Sequence, residues 1–175
     1  KILDSIKKDL ADPSITNLFL GPLISNEARL KVISQQKKLK KIGARIIKES
    51  KVRKGKGFFI TPGLIDSTNL KERFDEEIFG PILQVHFVGS FSEAIDEANN
   101  TKFGLAASLI SDSRSLFDQF HSSINSGLVN FNATTTGASG ALPFGGVGKS
   151  GNYRPAGFYA ADFCAWPKSS VLKKL

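Results

Sequence analysis

The sequence predicts an α/β fold, a mostly parallel sheet with crossover helices, and three observations point to it. Runs rich in β-branched and aromatic residues alternate with helical patterns from Ile82 to Phe131, a rhythm that implies parallel strands joined by crossovers. At 41% hydrophobic and 23% charged, the 175 residues have the composition of one globular domain with a packed core. A long glycine-rich loop, Asn132 to Pro155, leaves the end of the last strand, where sheets of this kind place their sites.

In order along the chain, Ile2, Leu3, Ile6 and Leu10 fall at helical spacing and Asp12-Pro13 ends that element. Ser25 is an N-cap for a helix reaching Ile42, with Leu30, Ile33, Val32 and Leu39 as its buried stripe and Gly43 as its stop. Arg45-Ile46-Ile47 and Phe58 to Thr61 are expected as strands flanking the turn Lys54-Gly55-Lys56-Gly57, and Pro62 to Asp66 as a further extended piece. Ile82 to Val88 is a strand by its β-branched and aromatic content. Ser90-Phe91-Ser92-Glu93 has the capping-box pattern and opens a helix through Asn99. Leu105 to Ile110, Ser113 to Ile124 and Leu128 to Phe131 complete the rhythm as strand, helix and strand.

The net charge of +8 is local in origin. Eleven of the 24 Lys and Arg lie between Lys31 and Lys56, where Glu49 is the only acid. No aromatic residue interleaves with those charges before Phe58, so base-stacking platforms are missing and a solvated face is expected rather than a nucleic-acid site. Weak steering of an anionic substrate is compatible with the same run. No apolar run approaches membrane-spanning length and no secretory leader is recognisable, so a cytoplasmic protein is expected. The chain has no methionine, which suggests a processed product or a piece of something longer.

Chemistry-bearing residues are few. Gly146, Gly148 and Gly151 satisfy the G-x-G-x-x-G pattern, and Gly148-Lys149-Ser150 resembles the end of a phosphate-binding loop. Both need a helix to open directly after the glycines, and Pro155 leaves no room for one. The stretch Pro143 to Gly151 is better understood as backbone that must pass close to something, with Phe144 held out as its one large side chain. In Asp75-Glu76-Glu77, a carboxylate two residues before Phe79 can accept hydrogen bonds from a diol such as ribose while the ring covers its apolar face; a charged surface turn is the plainer alternative. Cys164, in an apolar run, is expected to be a buried structural thiol. His86 and His121 have no evident partner, no ligand spacing suggests a metal, and no complete catalytic set is visible.

Four motifs in register carry a resemblance. Glu76-Glu77-Ile78-Phe79-Gly80-Pro81, Asn99 to Ala106, Gly127-Leu128-Val129-Asn130, and Pro143-Phe144-Gly145-Gly146 with Ser150-Gly151 resemble the aldehyde dehydrogenase superfamily in order and spacing, and Gly21-Pro22-Leu23-Ile24 fits the same pattern. The ending, Gly151 to Pro155 and Tyr159 to Pro167, is similar to the branch that acts on succinylglutamate semialdehyde in bacterial arginine catabolism. The resemblance implies a fold: the C-terminal portion of that family's catalytic domain over residues 1–165 and an oligomerisation strand over 166–175. It implies a reaction as well, aldehyde oxidation through a cysteine thiohemiacetal, hydride transfer to NAD or NADP, and thioester hydrolysis with a glutamate base. In the family the cysteine and that glutamate precede the Gly-Pro-Leu-Ile motif, so no catalytic residue, no activity and no tight cofactor binding are expected of this chain alone. Position by position, Glu77 would hold the nicotinamide-ribose hydroxyls, Phe79 would pack on ribose and nicotinamide, and Phe144 would line the aldehyde pocket. Thr134, Thr135, Thr136 and Ser139 would hydrogen-bond substrate carboxylates from the 132–142 loop. The implied partners are a small-molecule aldehyde and further copies of the chain, docked through Ser169 to Leu175. A non-catalytic assembly module with the same fold is the alternative.

Overall fold

The computed structural model describes residues 20–72 and 74–174. The helix expected over Ile2 to Leu10 and its Asp12-Pro13 stop lie outside them. The chain divides into two compact units, Lys1–Val88 and Gly89–Leu175.

In the first unit, helix α1 (Asn26–Lys41) begins where the Ser25 hydroxyl accepts the Ala28 N–H at 3.1 Å, and closes with the Ala44 N–H on the Leu39 carbonyl before Gly43, at φ +110°, turns the chain. Strands β1 (Arg45–Lys48), β2 (Gly63–Asp66) and β3 (Ile82–Val85) form one sheet in that order, β1 antiparallel and β3 parallel to β2. Strand β2 is buried along its whole length, as a central strand covered on both faces must be, and Leu64 and Ile65 are fully buried. Leu39, Ile42, Ala44 and Ile65 form the core, with Ile46, Leu70, Phe74, Ile78 and Ile82 packed around it.

The buried stripe of α1 departs from expectation. It runs Val32, Gln35, Gln36 and Leu39, while Leu30 is exposed and Ile33 only half-buried. Two glutamines occupy core positions because their amides replace missing backbone partners. Gln36 donates from Nε2 to the Ser50 carbonyl at 3.0 Å and accepts the Ser50 N–H on Oε1 at 2.7 Å. Hydrophobicity alone cannot detect that use. Phe58 to Thr61 is likewise not a ladder strand: it pairs through isolated bridges, Leu23 with Phe58 and Val52 with Ile60, after Gly55 and Gly57 at φ +117° and +83°. Strand β3 stops at Val85 rather than Val88, since the next donor, Phe87 N–H, is taken by the Thr68 hydroxyl.

In the second unit, helix α2 (Phe91–Asn99) is capped by Ser90, which accepts from Glu93 N–H at 3.2 Å, while the Glu93 carboxylate reaches back to Gly89 N–H at 2.6 Å. Strands β4 (Phe103–Gly104), β5 (Ala106–Leu109) and β6 (Leu128–Phe131) follow, with helix α3 (Arg114–Ser123) between the last two. Strands β5 and β6 pair in parallel, as a helical crossover demands. Phe117 of α3 packs on Phe131 of β6 with ring centroids 4.6 Å apart. The 132–155 loop holds two short strands, β7 (Pro143–Phe144) and β8 (Val147–Gly148). Strand β8 pairs antiparallel with β4, and β7 with β9 (Ala156–Gly157), ahead of the single-turn helix α4 (Ala160–Phe163).

Among the described residues no helix is long and apolar enough to cross a membrane. Cys164, expected to be buried, is exposed: it caps α4, beyond which the chain runs on with Trp166, Val171 and Leu172 also exposed. An apolar neighbourhood in sequence did not become one in space.

Candidate functional site

The segment Phe74 to Pro81 reaches β3 across the surface of α1, and alternate residues are fixed to that helix. Phe74 and Ile78 pack against the core. Lys38 Nζ pairs with Glu76 Oε1 at 2.7 Å and lies 5.2 Å from the Phe74 ring centre. Gln35 Nε2 donates to the Glu77 carbonyl at 3.3 Å. Gly80 lies on Val32, where a Cβ would come within 2.7 Å of Cγ2, so only glycine lets the loop sit this low. The Gly80 N–H returns to the Ile78 carbonyl at 2.8 Å, a three-residue turn with Phe79 at its centre.

The outcome is a division of labour within six residues. Ile78 and Gly80 face the helix; the Glu77 side chain and Phe79 face away, and Phe79 is 72% exposed. Of the three adjacent acids, Glu76 is engaged by Lys38, whereas the Glu77 carboxylate has no hydrogen-bond or ion-pair partner among the described residues. A solvent-facing carboxylate beside an uncovered ring offers acceptors to a vicinal diol and an apolar face to the sugar or base behind it. The residues present therefore fit the ribose of a nicotinamide dinucleotide.

The other expected site residues lie in the second unit. The base of the 132–142 loop is clamped: Asn132, at φ +51°, accepts the Ser111 N–H on Oδ1 at 2.9 Å and donates from Nδ2 to the Ser111 carbonyl at 2.7 Å. Asn130 donates to the Thr134 carbonyl at 2.7 Å and Ser108 to that of Ala133 at 2.6 Å. Farther out, Thr134 and Thr136 hydroxyls meet at 2.9 Å, and Ser139 Oγ accepts the Ala141 N–H at 3.2 Å. Thr136 and Ser139 thus shape the loop itself, while Thr135 is exposed and hydrogen-bonded to none of the described residues. Phe144 is 40% exposed and held by the pairing of β7 with β9.

No helix follows the glycines. Ser150-Gly151 lead through Tyr153, at φ +62°, and Pro155 into β9, which excludes a phosphate-cradling helix start. What the backbone passes close to is the protein itself: a Cβ on Gly127 would strike the Gly145 carbonyl oxygen, and the Gly104 N–H donates to Ser150 Oγ at 3.1 Å. Among the described residues no group of three or more His, Cys, Asp or Glu is placed to hold a metal. The supporting residues of the Glu77 loop, Gln35 and Lys38, were not apparent from motifs; the signal was a Gln-Gln pair in the middle of an otherwise amphipathic helix.

Residues 4–169 match the aldehyde dehydrogenase family. N-succinylglutamate 5-semialdehyde dehydrogenase of Hahella chejuensis is 48% identical over 153 residues, 87% of this chain, and that of Paraburkholderia xenovorans 45% over the same length. The chain spans 31% of the length of each of these curated relatives. Among solved structures, succinic semialdehyde dehydrogenase from Streptococcus pyogenes in complex with NADP+ superposes with a TM-score of 0.74 at 29% identity, covering 84% of this chain and 32% of that one. With a match over nearly its whole length and the α/β architecture of these enzymes, the chain belongs to the aldehyde dehydrogenase family.

Proposed function

We propose that this chain forms part of an NAD(P)-dependent aldehyde dehydrogenase that oxidises N-succinylglutamate semialdehyde to N-succinylglutamate, a cytoplasmic step of arginine catabolism. The observation that carries the reading is the Glu77–Phe79 pair, a carboxylate with no partner among the described residues and an uncovered ring on a loop otherwise fixed to α1. The substrate assignment rests on the relatives at 45–48% identity.

In this reading Glu77 accepts hydrogen bonds from the nicotinamide-ribose hydroxyls and Phe79 packs against ribose and nicotinamide, which orients the ring rather than reacting with it. The dinucleotide, when bound, supplies the hydride acceptor. Phe144 lines the aldehyde pocket and excludes water from it. Thr135, Thr136 and Ser139 hydrogen-bond substrate carboxylates. The nucleophilic cysteine and the general base come from outside this chain, so the chain alone turns over no aldehyde. The exposed tail with Trp166, Val171 and Leu172 pairs with a second copy.

The test is Glu77→Gln in the full-length enzyme followed by stopped-flow reduction of NAD. A neutral amide accepts more weakly from the diol, so hydride transfer slows or cofactor KM rises by roughly tenfold. Unchanged kinetics would remove the ribose role, and NADH production by the 175-residue chain alone would overturn the assignment of the nucleophile to residues outside it.

A further inference from the structure

We propose that Gln35 is a positioning residue for the cofactor, acting through the Glu77 main chain; the proposal rests on the ribose reading of Glu77. Gln35 is 5% exposed and comes from the middle of α1. Its amide nitrogen donates to the Glu77 carbonyl, 42 residues away in sequence. Its amide oxygen is buried with no hydrogen-bond partner among the described residues.

A buried polar side chain with one half unsatisfied is a poor choice for stability alone, because an orphaned acceptor forfeits its hydration and gains nothing. An apolar residue of the same size would pack there at no such cost. The half that is satisfied holds the Glu77 carbonyl, whose carbon is bonded to the Cα that carries the side chain. It works with two neighbouring constraints, Lys38 on Glu76 and Val32 beneath Gly80, so the loop is held on both sides of Glu77 and at Glu77 itself. A side chain that must meet two hydroxyls within hydrogen-bond reach loses much of its effect if its backbone drifts by an ångström.

Gln35→Leu separates a positioning role from a structural one. In the full-length enzyme this variant is expected to raise KM for NAD, and the equilibrium Kd for NADH measured by fluorescence, by roughly five- to tenfold. KM for the aldehyde should stay within about twofold, and the melting temperature should change little, because removing the orphaned oxygen offsets the loss of the Glu77 carbonyl's donor. Gln35→Met, of similar length and also without a donor, should behave alike if the leucine variant packs badly. On a Glu77→Gln background Gln35→Leu should add less than about twofold, since the group it aims has already lost its charge. Cofactor constants within about twofold of wild type in a folded Gln35 variant, or a full effect that persists on the Glu77→Gln background, would overturn the positioning role while leaving the ribose reading intact. A Glu77→Gln enzyme with unaltered cofactor constants would overturn both.

Discussion

Replacing Gln36 tests how this fold uses polar groups in its core. Gln36 and Ser50 are 4% and 2% exposed, and the glutamine amide satisfies both Ser50 backbone groups, at 3.0 and 2.7 Å. Gln36→Leu orphans a buried N–H and a buried C=O, a cost of about 1–3 kcal/mol each. The leucine returns about 2 kcal/mol through apolar burial, so the net loss is about 0–4 kcal/mol, centred near 2. Gln36→Glu is the sharper probe. Its ionised carboxylate still accepts from Ser50 N–H but sets a second oxygen against the Ser50 carbonyl, so the protonated acid, which donates there as the amide did, is the favoured form. The folded-state pKa of that glutamate is therefore raised above the unfolded value of about 4.3. A raised carboxyl binds its proton more tightly when folded, so stability increases as the pH falls through the folded pKa toward the unfolded one. Melting curves of the full-length enzyme at pH 8 and pH 5.5 should put Gln36→Glu below Gln36→Leu at the higher pH and narrow or reverse the gap at the lower. Variants that melt together with wild type at both would refute the claim that the amide pair holds α1 to the strand edge.

Asp66 gives a second acid-dependent prediction. Hydrogen bonding from Thr68 first, and then the Arg45 guanidinium at 2.8 Å, hold its carboxyl below the usual range despite burial acting the other way. Its stabilisation is present above the unfolded pKa of about 3.9 and is lost as the pH falls through the lower folded value, so an Asp66→Asn enzyme should show a shallower loss of melting temperature over that interval than wild type. Asp66→Ala should cost only about 1–3 kcal/mol by urea denaturation, since its partner Arg45 is exposed and is not stranded in the core. Gly127→Ala should sharply reduce soluble yield and cost at least about 2 kcal/mol, because the new methyl collides with the Gly145 carbonyl and must displace the segment that carries Phe144; normal yield and melting would show that the loop yields freely.

Sequence reading succeeded where the determining physics is local. Ser25 and Ser90 each cap a helix as their spacing indicates, because a hydroxyl and an N–H three residues on need no tertiary information to find each other. Parallel pairing of β5 and β6 follows from the helix between them. It failed where a distant partner decides. Periodicity puts Leu30 in the core of α1 and leaves out Gln35 and Gln36, because nothing near them in sequence shows that the Ser50 and Glu77 backbones lack partners. Phe163, Ala165 and Trp166 suggest an interior position for Cys164, yet it lies exposed at the C-cap of a single helical turn. Glu77 and Phe79 are legible in sequence as a carboxylate spaced two residues from a ring, whereas the turn at Ile78 to Gly80, which leaves both facing outward, depends on Val32 and Gln35.

The two glycine-bearing segments solve one problem by opposite means. At Glu77, side chains of α1 grip a loop, Gln35 on the Glu77 carbonyl and Lys38 on the Glu76 carboxylate. Around Phe144 the tightest contacts are backbone against backbone, Gly127 under Gly145 and β7 on β9. On the proposed ribose role of Glu77, substitutions in the first segment should grade cofactor affinity, whereas those in the second should act first through folding. The glycines of the Pro143 to Gly151 stretch, which in sequence look like a phosphate cradle, matter because they let two stretches of main chain touch, and the pairing of β7 with β9 holds the backbone that carries Phe144.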